Sequence, residues 1–332
     1  MQYFLFTVST ESWKEHFATG IAAINDPGVD PGSTHGNAKR QSAMCELAGI
    51  RKGDCLFFYL QQEKKIMGLY EVHSDAFFDT RNLISGKRCF INKKFAIRVE
   101  FVQKINFVNN LDMDEVWRIK DKGSFWSVQQ QRGDVVGRHA CIALTKQDGE
   151  HLLKMLYQKN PIIPSNSKIK IGKHSRKALK FDLTHYGTQL HYEASLQGLL
   201  LNDLKQGKHK DIFGDYNYFV PFMPTSSQKE IDILLIKHNN GNEIIWYQVL
   251  ELKQSTFSID ELDKLMNYEN WTINALANNN ERLVHSVGIA HDFDQDAIDY
   301  ISNRQRYGGK KIRLIKYSYK TKRNELTFEH IN

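Results

Sequence analysis

Residues 229–254, KEIDILLIKHNNGNEIIWYQVLELKQ, carry two carboxylates and a lysine in a pattern suited to cutting phosphodiester bonds. Asp232 lies in one apolar run. Glu251 and Lys253 lie near the end of a second, and an Asn/Gly turn separates the two. Side chains two apart on a strand share a face, so Glu251 and Lys253 project together while Leu252 points into the core. Charged groups are seldom deeply buried unless they are paired or hold a metal. Carboxylates on adjacent strands are hard oxygen donors of the kind Mg²⁺ takes, and Lys253 would orient or deprotonate the attacking water and offset phosphate charge.

Such a site needs elements to hold it. Before the strand pair, LHYEASLQGLLLNDL reads as a helix in which Leu190, Leu196 and Leu200 share one side with Glu193, turning that carboxylate toward the sheet. There it would bind a metal-held water or a second metal, or make a salt bridge at the edge. After the pair, SIDELDKLMNYENWTINAL reads as an amphipathic helix carrying Tyr268. Glu230 shares the face of Asp232 as a further possible ligand, and Gln254 extends the second strand toward substrate backbone.

This ordered set, over roughly residues 185–320, resembles the PD-(D/E)XK nuclease superfamily. No proline precedes Asp232; Glu230 and Ile231 stand there instead. The resemblance implies an αβββαβ mixed sheet and Mg²⁺ on Asp232, Glu251 and the Leu252 carbonyl. It also implies Lys253 and Glu193 in catalysis, with 5′-phosphate and 3′-hydroxyl products.

With 332 residues the chain suits two domains, each large enough for its own core. No apolar run approaches the about 20 residues needed to span a bilayer. MQYFLFTVST lacks a basic region and a cleavage site, so no signal peptide is expected. Cys45, Cys55, Cys89 and Cys141 are widely spaced, which predicts reduced thiols in the cytoplasm and no zinc site. Net charge is +7, and the basic residues are clustered. Residues 161–180 hold six Lys/Arg and no acid, and residues 301–323 hold nine and no acid. Both are candidate phosphate-contacting surfaces, with Lys168, Lys170, Lys173, Arg176 and Lys177 in the first; a solvated linker and a charged edge strand are the alternatives.

The first half alternates strands with helices. Ser9 or Thr10 caps a helix over STESWKEHFATG, and KQDGEHLLKMLYQ closes the unit as a helix. A curved sheet or small barrel of five to six strands is expected. FLFTVSTESWKE, KGDCLFFYLQQEKKIMGLYEVHSDAFFDT and FWSVQQQRGDVVGRHACIALTKQDGEHLLKML resemble, in order, segments of the EVE/YTH-like branch of the PUA superfamily. That resemblance implies a modified base held in an aromatic cage. A base outside the helical stack needs flat faces and edge hydrogen bonds. Trp13, Trp117, Phe125 and Trp126 are the candidate faces, Trp13 and Trp126 foremost. Ser74, Asp75 and Asn37 are candidate polar partners, and Arg138 and His139 could reach phosphate.

The expectation is therefore an α/β chain of three parts. Residues 1–157 form a base-reading domain, 158–184 a basic linker and 185–332 a nuclease domain. Together they would cut double-stranded DNA with Mg²⁺ as a modification-dependent restriction enzyme, a homodimer by the logic of paired single-strand cuts. A restriction enzyme for an unmodified sequence, a repair nuclease for mismatches or flaps, and a non-catalytic RNA- or DNA-binding protein are the competing readings.

Overall fold

The computed structural model describes all residues except 28–35, 83–90, 92–93, 129, 132–134, 137–138, 163–175, 227–228, 308 and 332, with backbone alone at 130, 131, 135 and 136. The chain divides into two compact units, Met1–Lys180 and Phe181–Asn332, both mixed α/β.

Unit 1 contains β1 (Tyr3–Val8), α1 (Thr10–Thr19), β2 (Ile21–Ile24), α2 (Gly36–Ala48), β3 (Cys55–Leu60), β4 (Lys65–Val72), β5 (Phe77–Phe78) and β6 (Ile97–Gln103). It continues through β7 (Leu111–Asp112), α3 (Met113–Asp121), β8 (Gln130–Gln131), β9 (Val135–Val136), β10 (Cys141–Leu144), α4 (Lys146–Lys159) and β11 (Lys177–Ala178). The main sheet has nine strands in the order β10-β1-β3-β4-β6-β5-β11, with β2 on β6 and β7 on β4. Its strands are more numerous than the five to six expected, because two-residue strands carry no readable period. Among the described residues β10 and β11 end the strand order and do not pair with each other.

β3 is buried along its whole length. This explains why CLFFYL reads as an unbroken apolar run rather than an alternation. Ser9 caps α1 by accepting from the Ser12 N–H at 3.0 Å. The Gly-Asp phrase before β3 serves the fold. Buried Asp54 accepts from the N–H groups of Gln2 at 2.8 Å and Arg51 at 3.0 Å, tying the start of β1 to the turn before β3. The stretch read as a linker is in part structured: α4 runs to Lys159, and β11 pairs with β5.

Unit 2 contains β12 (His185–Tyr186), β13 (Gln189–Leu190), α5 (Glu193–Lys205), α6 (Lys210–Phe213), β14 (Tyr218–Pro224), β15 (Glu230–His238), β16 (Ile244–Leu252) and β17 (Thr256–Phe257). It ends with α7 (Ile259–Ala275), β18 (Val284–Ala290), β19 (Asp292–Phe293), α8 (Gln295–Arg306), β20 (Ile312–Lys320) and β21 (Glu325–His330). The six-stranded sheet runs β14-β15-β16-β18-β20-β21. β14, β15 and β16 form an antiparallel meander; β16, β18 and β20 are parallel. The order is thus helix, three-stranded meander, helix, strand.

The helix carrying Glu193 starts at that residue, so FDLTHY is not helical and Leu190 belongs to β13 rather than to the helix face. The His185–Leu190 hairpin holds the segment extended until Tyr192. Gly198 lets α5 lie against Phe181; a Cβ there would come 2.2 Å from the ring. A capping box opens α7: the Ser258 hydroxyl accepts from the Asp260 N–H, and the Glu261 carboxylate accepts from the Ser258 N–H at 3.1 Å.

Candidate active site

The hairpin brings the predicted residues together. The β15–β16 ladder runs from His238↔Ile244 to Ile233↔Leu250. One residue further, the Asp232 carboxylate accepts from the Leu252 backbone N–H at 2.7 Å. A side chain thus takes over where the ladder ends, which places Asp232 beside Glu251. Leu252 is buried, on the strand face opposite Glu251 and Lys253.

Glu251 is 0% exposed. Its Oε1 receives the Lys264 ammonium at 2.5 Å, and its Oε2 has no hydrogen-bond partner among the described residues. Lys253 Nζ lies 3.2 Å from the Glu193 carboxylate and 3.8 Å from that of Glu261. Glu193 therefore sits at the site, at the mouth rather than the floor, with 41% of its side chain exposed.

Charge crowding sets the protonation. Burial lifts the Asp232 carboxyl to about 6, helped by the Glu193 charge, while Lys264 and the Leu252 N–H pull it back. Burial and the neighbouring Asp232 charge lift Glu251 to about 9 against the pull of Lys264. Burial pulls the Lys264 and Lys253 ammoniums down, yet both are held above the ordinary value, Lys264 by Asp232 and Glu251 and Lys253 by Glu193. The Glu193 carboxylate thus holds the Lys253 ammonium at the site.

Two helices complete the site, Tyr268 on the expected helix and Gln197, Glu261 and Lys264 beyond what the sequence pattern singled out. Gln197, one turn beyond Glu193 on α5, donates from Nε2 to the Asp232 carbonyl at 2.9 Å. On α7, Glu261, Lys264 and Tyr268 recur at spacings of three and four, hence on one face. Tyr268 is buried, with the Lys264 Nζ 5.5 Å from its ring centre. That polar spacing, interleaved with core Leu262 and Leu265, was the available signal. Gln254 turns inward to Gln189 at 3.3 Å, and its carbonyl accepts from the Tyr317 hydroxyl at 2.7 Å. Glu230 opens β15, opposite Pro224.

The donor set suits a hard divalent cation. A half-buried and a fully buried carboxylate stand side by side, and among the described residues one oxygen of Glu251 has no hydrogen-bond partner. Among the described residues no three His, Cys, Asp or Glu side chains form a ready metal cage. An ion that completes its shell with water and carbonyl oxygen, as Mg²⁺ does, fits two carboxylates.

In unit 1 the aromatic candidates scatter. Phe125 and Trp117 are core residues, 0% and 9% exposed, and offer no face to a base. Trp13 is half-buried in an aromatic cluster with ring centres 4.7 Å from Phe58, 5.7 Å from Tyr70 and 6.4 Å from Phe101. Trp126 is half-buried; its N–H and that of Ser127 donate to buried Asp148 at 3.1 and 2.7 Å. Ser74 is buried and accepts from the Glu100 N–H, Asp75 is exposed, and exposed Asn37 accepts from Gln41.

Arg176 makes a two-pronged pair with buried Glu100, and Lys177 is exposed. His139 pairs with Glu46 at 3.3 Å. Arg138, Lys168, Lys170 and Lys173 lie outside the described residues, as does Cys89; Cys45, Cys55 and Cys141 are buried. No described helix is long and apolar enough to cross a membrane.

No family model and no curated protein matches the chain. Solved structures give weak likenesses. The MmI1 YTH domain is 16% identical over 48% of this chain and 96% of its own, with a TM-score of 0.29. The human THYN1 protein, in complex with 5-methylcytosine-containing DNA, is 17% identical over 47% of this chain and 98% of its own, at 0.26. The EndoMS–dsDNA complex is 11% identical over 90% of this chain and 97% of its own, at 0.26. At these TM-scores the neighbours set no function for this chain.

Proposed function

We propose that the chain is a Mg²⁺-dependent DNA endonuclease of the PD-(D/E)XK type whose N-terminal unit reads a base before the C-terminal unit cuts. The supporting observation is the pair of crowded carboxylates, Asp232 and fully buried Glu251, with a cationic lysine two residues along the same strand.

Asp232, Glu251 and the Leu252 carbonyl would hold Mg²⁺. The ion supplies Lewis acidity, polarising the scissile phosphate and acidifying water. Lys253 positions the attacking water and balances the charge that builds on the phosphate. Glu193 holds the Lys253 ammonium in place. The Leu252 N–H and the Gln197 amide fix Asp232 and its strand, so the ligands need little rearrangement. An αβββ order followed by a crossover helix and a parallel strand is the scaffold this chemistry uses in that superfamily, and unit 2 has that order.

Within this reading, the substrate is duplex DNA carrying a modified base, and the working form is a homodimer. Digestion of matched plasmids, unmodified or carrying 6-methyladenine, 5-methylcytosine or 5-hydroxymethylcytosine, tests it. Mg²⁺-dependent cutting of one modified plasmid alone is the expected result. Equal cutting of all four would keep the nuclease and remove the base reader; binding without cutting would leave a nucleic-acid-binding protein.

A further inference from the structure

A cleft of about 460 Å³ in unit 1 is lined by Arg40, Met44, Phe78, Lys177, Ala178 and Lys180. None of these except Lys177 entered the sequence reading as a site residue. The volume falls in the range of small-molecule sites, roughly 300–1,000 Å³.

The lining is held in place from three sides. Arg40 and Met44 are four apart on α2, hence on one face. Arg40 is clamped by Asp26, whose carboxylate is fully buried, at 2.7 Å from Nε and 3.0 Å from an Nη. Those bonds use two of the guanidinium's five N–H donors and leave three for a ligand. The Arg40 guanidinium carbon lies 6.0 Å from the Phe78 ring centre.

Phe78 sits on β5 directly across from Lys177 on β11. β11 is pinned in turn by the Arg176–Glu100 pair, in which Glu100 is fully buried. Lys177 and Lys180 are exposed and have no carboxylate partner among the described residues. Met44 and Ala178 supply the apolar lining.

A half-buried aromatic face beside an anchored guanidinium and two unneutralised ammoniums asks for one kind of ligand. It must be a flat ring system carrying an anion. Base–aromatic stacking and phosphate binding by Arg and Lys are the two halves of nucleotide recognition.

We infer that this cleft binds a nucleotide unit, with its base against Phe78 and its phosphate on Arg40, Lys177 and Lys180. The inference rests on the reading that the N-terminal unit takes a base, and it moves the site away from Trp117 and Phe125. The same chemistry fits a nucleotide drawn out of a DNA strand or a free nucleoside monophosphate.

The test uses the full chain in EDTA, which prevents cutting. Fluorescence anisotropy follows labelled duplexes, unmodified and carrying each of the three modified bases, with nucleoside 5′-monophosphates as competitors. Variants are Phe78→Ala and the double variant Lys177→Glu/Lys180→Glu. Lys52→Glu serves as the charge control on the exposed turn before β3, and melting curves check folding.

Both cleft variants should weaken duplex binding by about tenfold or more, the scale of one lost base stack, while Lys52→Glu changes it less than threefold. Competition by a monophosphate would identify the cleft occupant as a nucleotide drawn from the strand. Monophosphate binding that is lost in the cleft variants, with duplex binding unchanged, would identify a free nucleotide. Duplex binding by Phe78→Ala and the double variant within twofold of wild type, with no monophosphate binding, would overturn the inference and leave the base-reading proposal standing. Failure of the wild-type protein to bind any duplex or monophosphate would remove both.

Discussion

The Lys264 ammonium lies 2.5 Å from the Glu251 carboxylate, and Glu251 has no exposed surface. A helix residue thirteen positions later in the chain therefore supplies a cation to the Asp232 and Glu251 carboxyls. At pH 8 Asp232 is the ionised carboxylate, and removing Lys264 leaves its charge uncompensated. For fully buried pairs the cost is roughly 3–5 kcal/mol; Lys264 is about one-third exposed, so about 1–3 kcal/mol is expected for Lys264→Met. Urea denaturation at pH 8 checks this. Mg²⁺ should recover part of the loss, and Lys264→Met/Glu251→Gln should lose less than the sum of the single variants.

The metal-free protein should lose stability as pH rises. The Asp232 and Glu251 carboxyls titrate near 6 and 9, above the about 4 of an unfolded chain. Between those values the folded state holds protons that the unfolded state has released, so stability falls with rising pH through that window. Divalent-ion affinity should move the other way, because binding must displace those protons. Calorimetric titration with Mg²⁺ from pH 6 to 9 should show affinity increasing at each step. A flat profile would mean that both carboxylates are already ionised at pH 6.

The placement of Asp232, Glu251 and Lys253 was legible because two strand periods and one turn suffice to bring them together. Lys264 was not. A lysine on an amphipathic helix reads as solvated, and only the packing of α7 on β16 and β18 turns it onto Glu251. Phe125 after a turn and Trp117 within α3 show the converse: an aromatic satisfies a core as well as it satisfies a ligand, and no local period separates the two. The Arg40–Phe78–Lys177 cleft is assembled by strand pairing between distant segments, which no single stretch of sequence carries.

Asp148 organises the loop that carries Trp126. It accepts from the N–H groups of Trp126 and Ser127 and, at 2.5 Å, from the Ser127 hydroxyl. Asp148→Ala leaves those buried donors unsatisfied, at a cost of roughly 2–4 kcal/mol. The Trp126 emission should shift to the red as its loop opens. An unshifted spectrum with full stability would show that the loop is held by other contacts.

Trp13 stands in an aromatic cluster with Phe58, Tyr70 and Phe101, so its first duty is packing. Trp13→Ala should cost about 2–3 kcal/mol, below the roughly 3–5 of a fully buried aromatic. Duplex binding by the fraction that remains folded should match wild type. A specific loss of modified-base preference at unchanged stability would return Trp13 to the base site.

The most direct test of the account is single-turnover cleavage of duplex DNA by wild type, Asp232→Asn and Lys253→Ala, each in Mg²⁺ and in EDTA, with binding measured in parallel. Mg²⁺-dependent cutting by wild type is predicted. Each variant should be slower by on the order of 10³-fold, with binding changed less than tenfold. Cutting by Asp232→Asn or Lys253→Ala at the wild-type rate would contradict the assignment of the site.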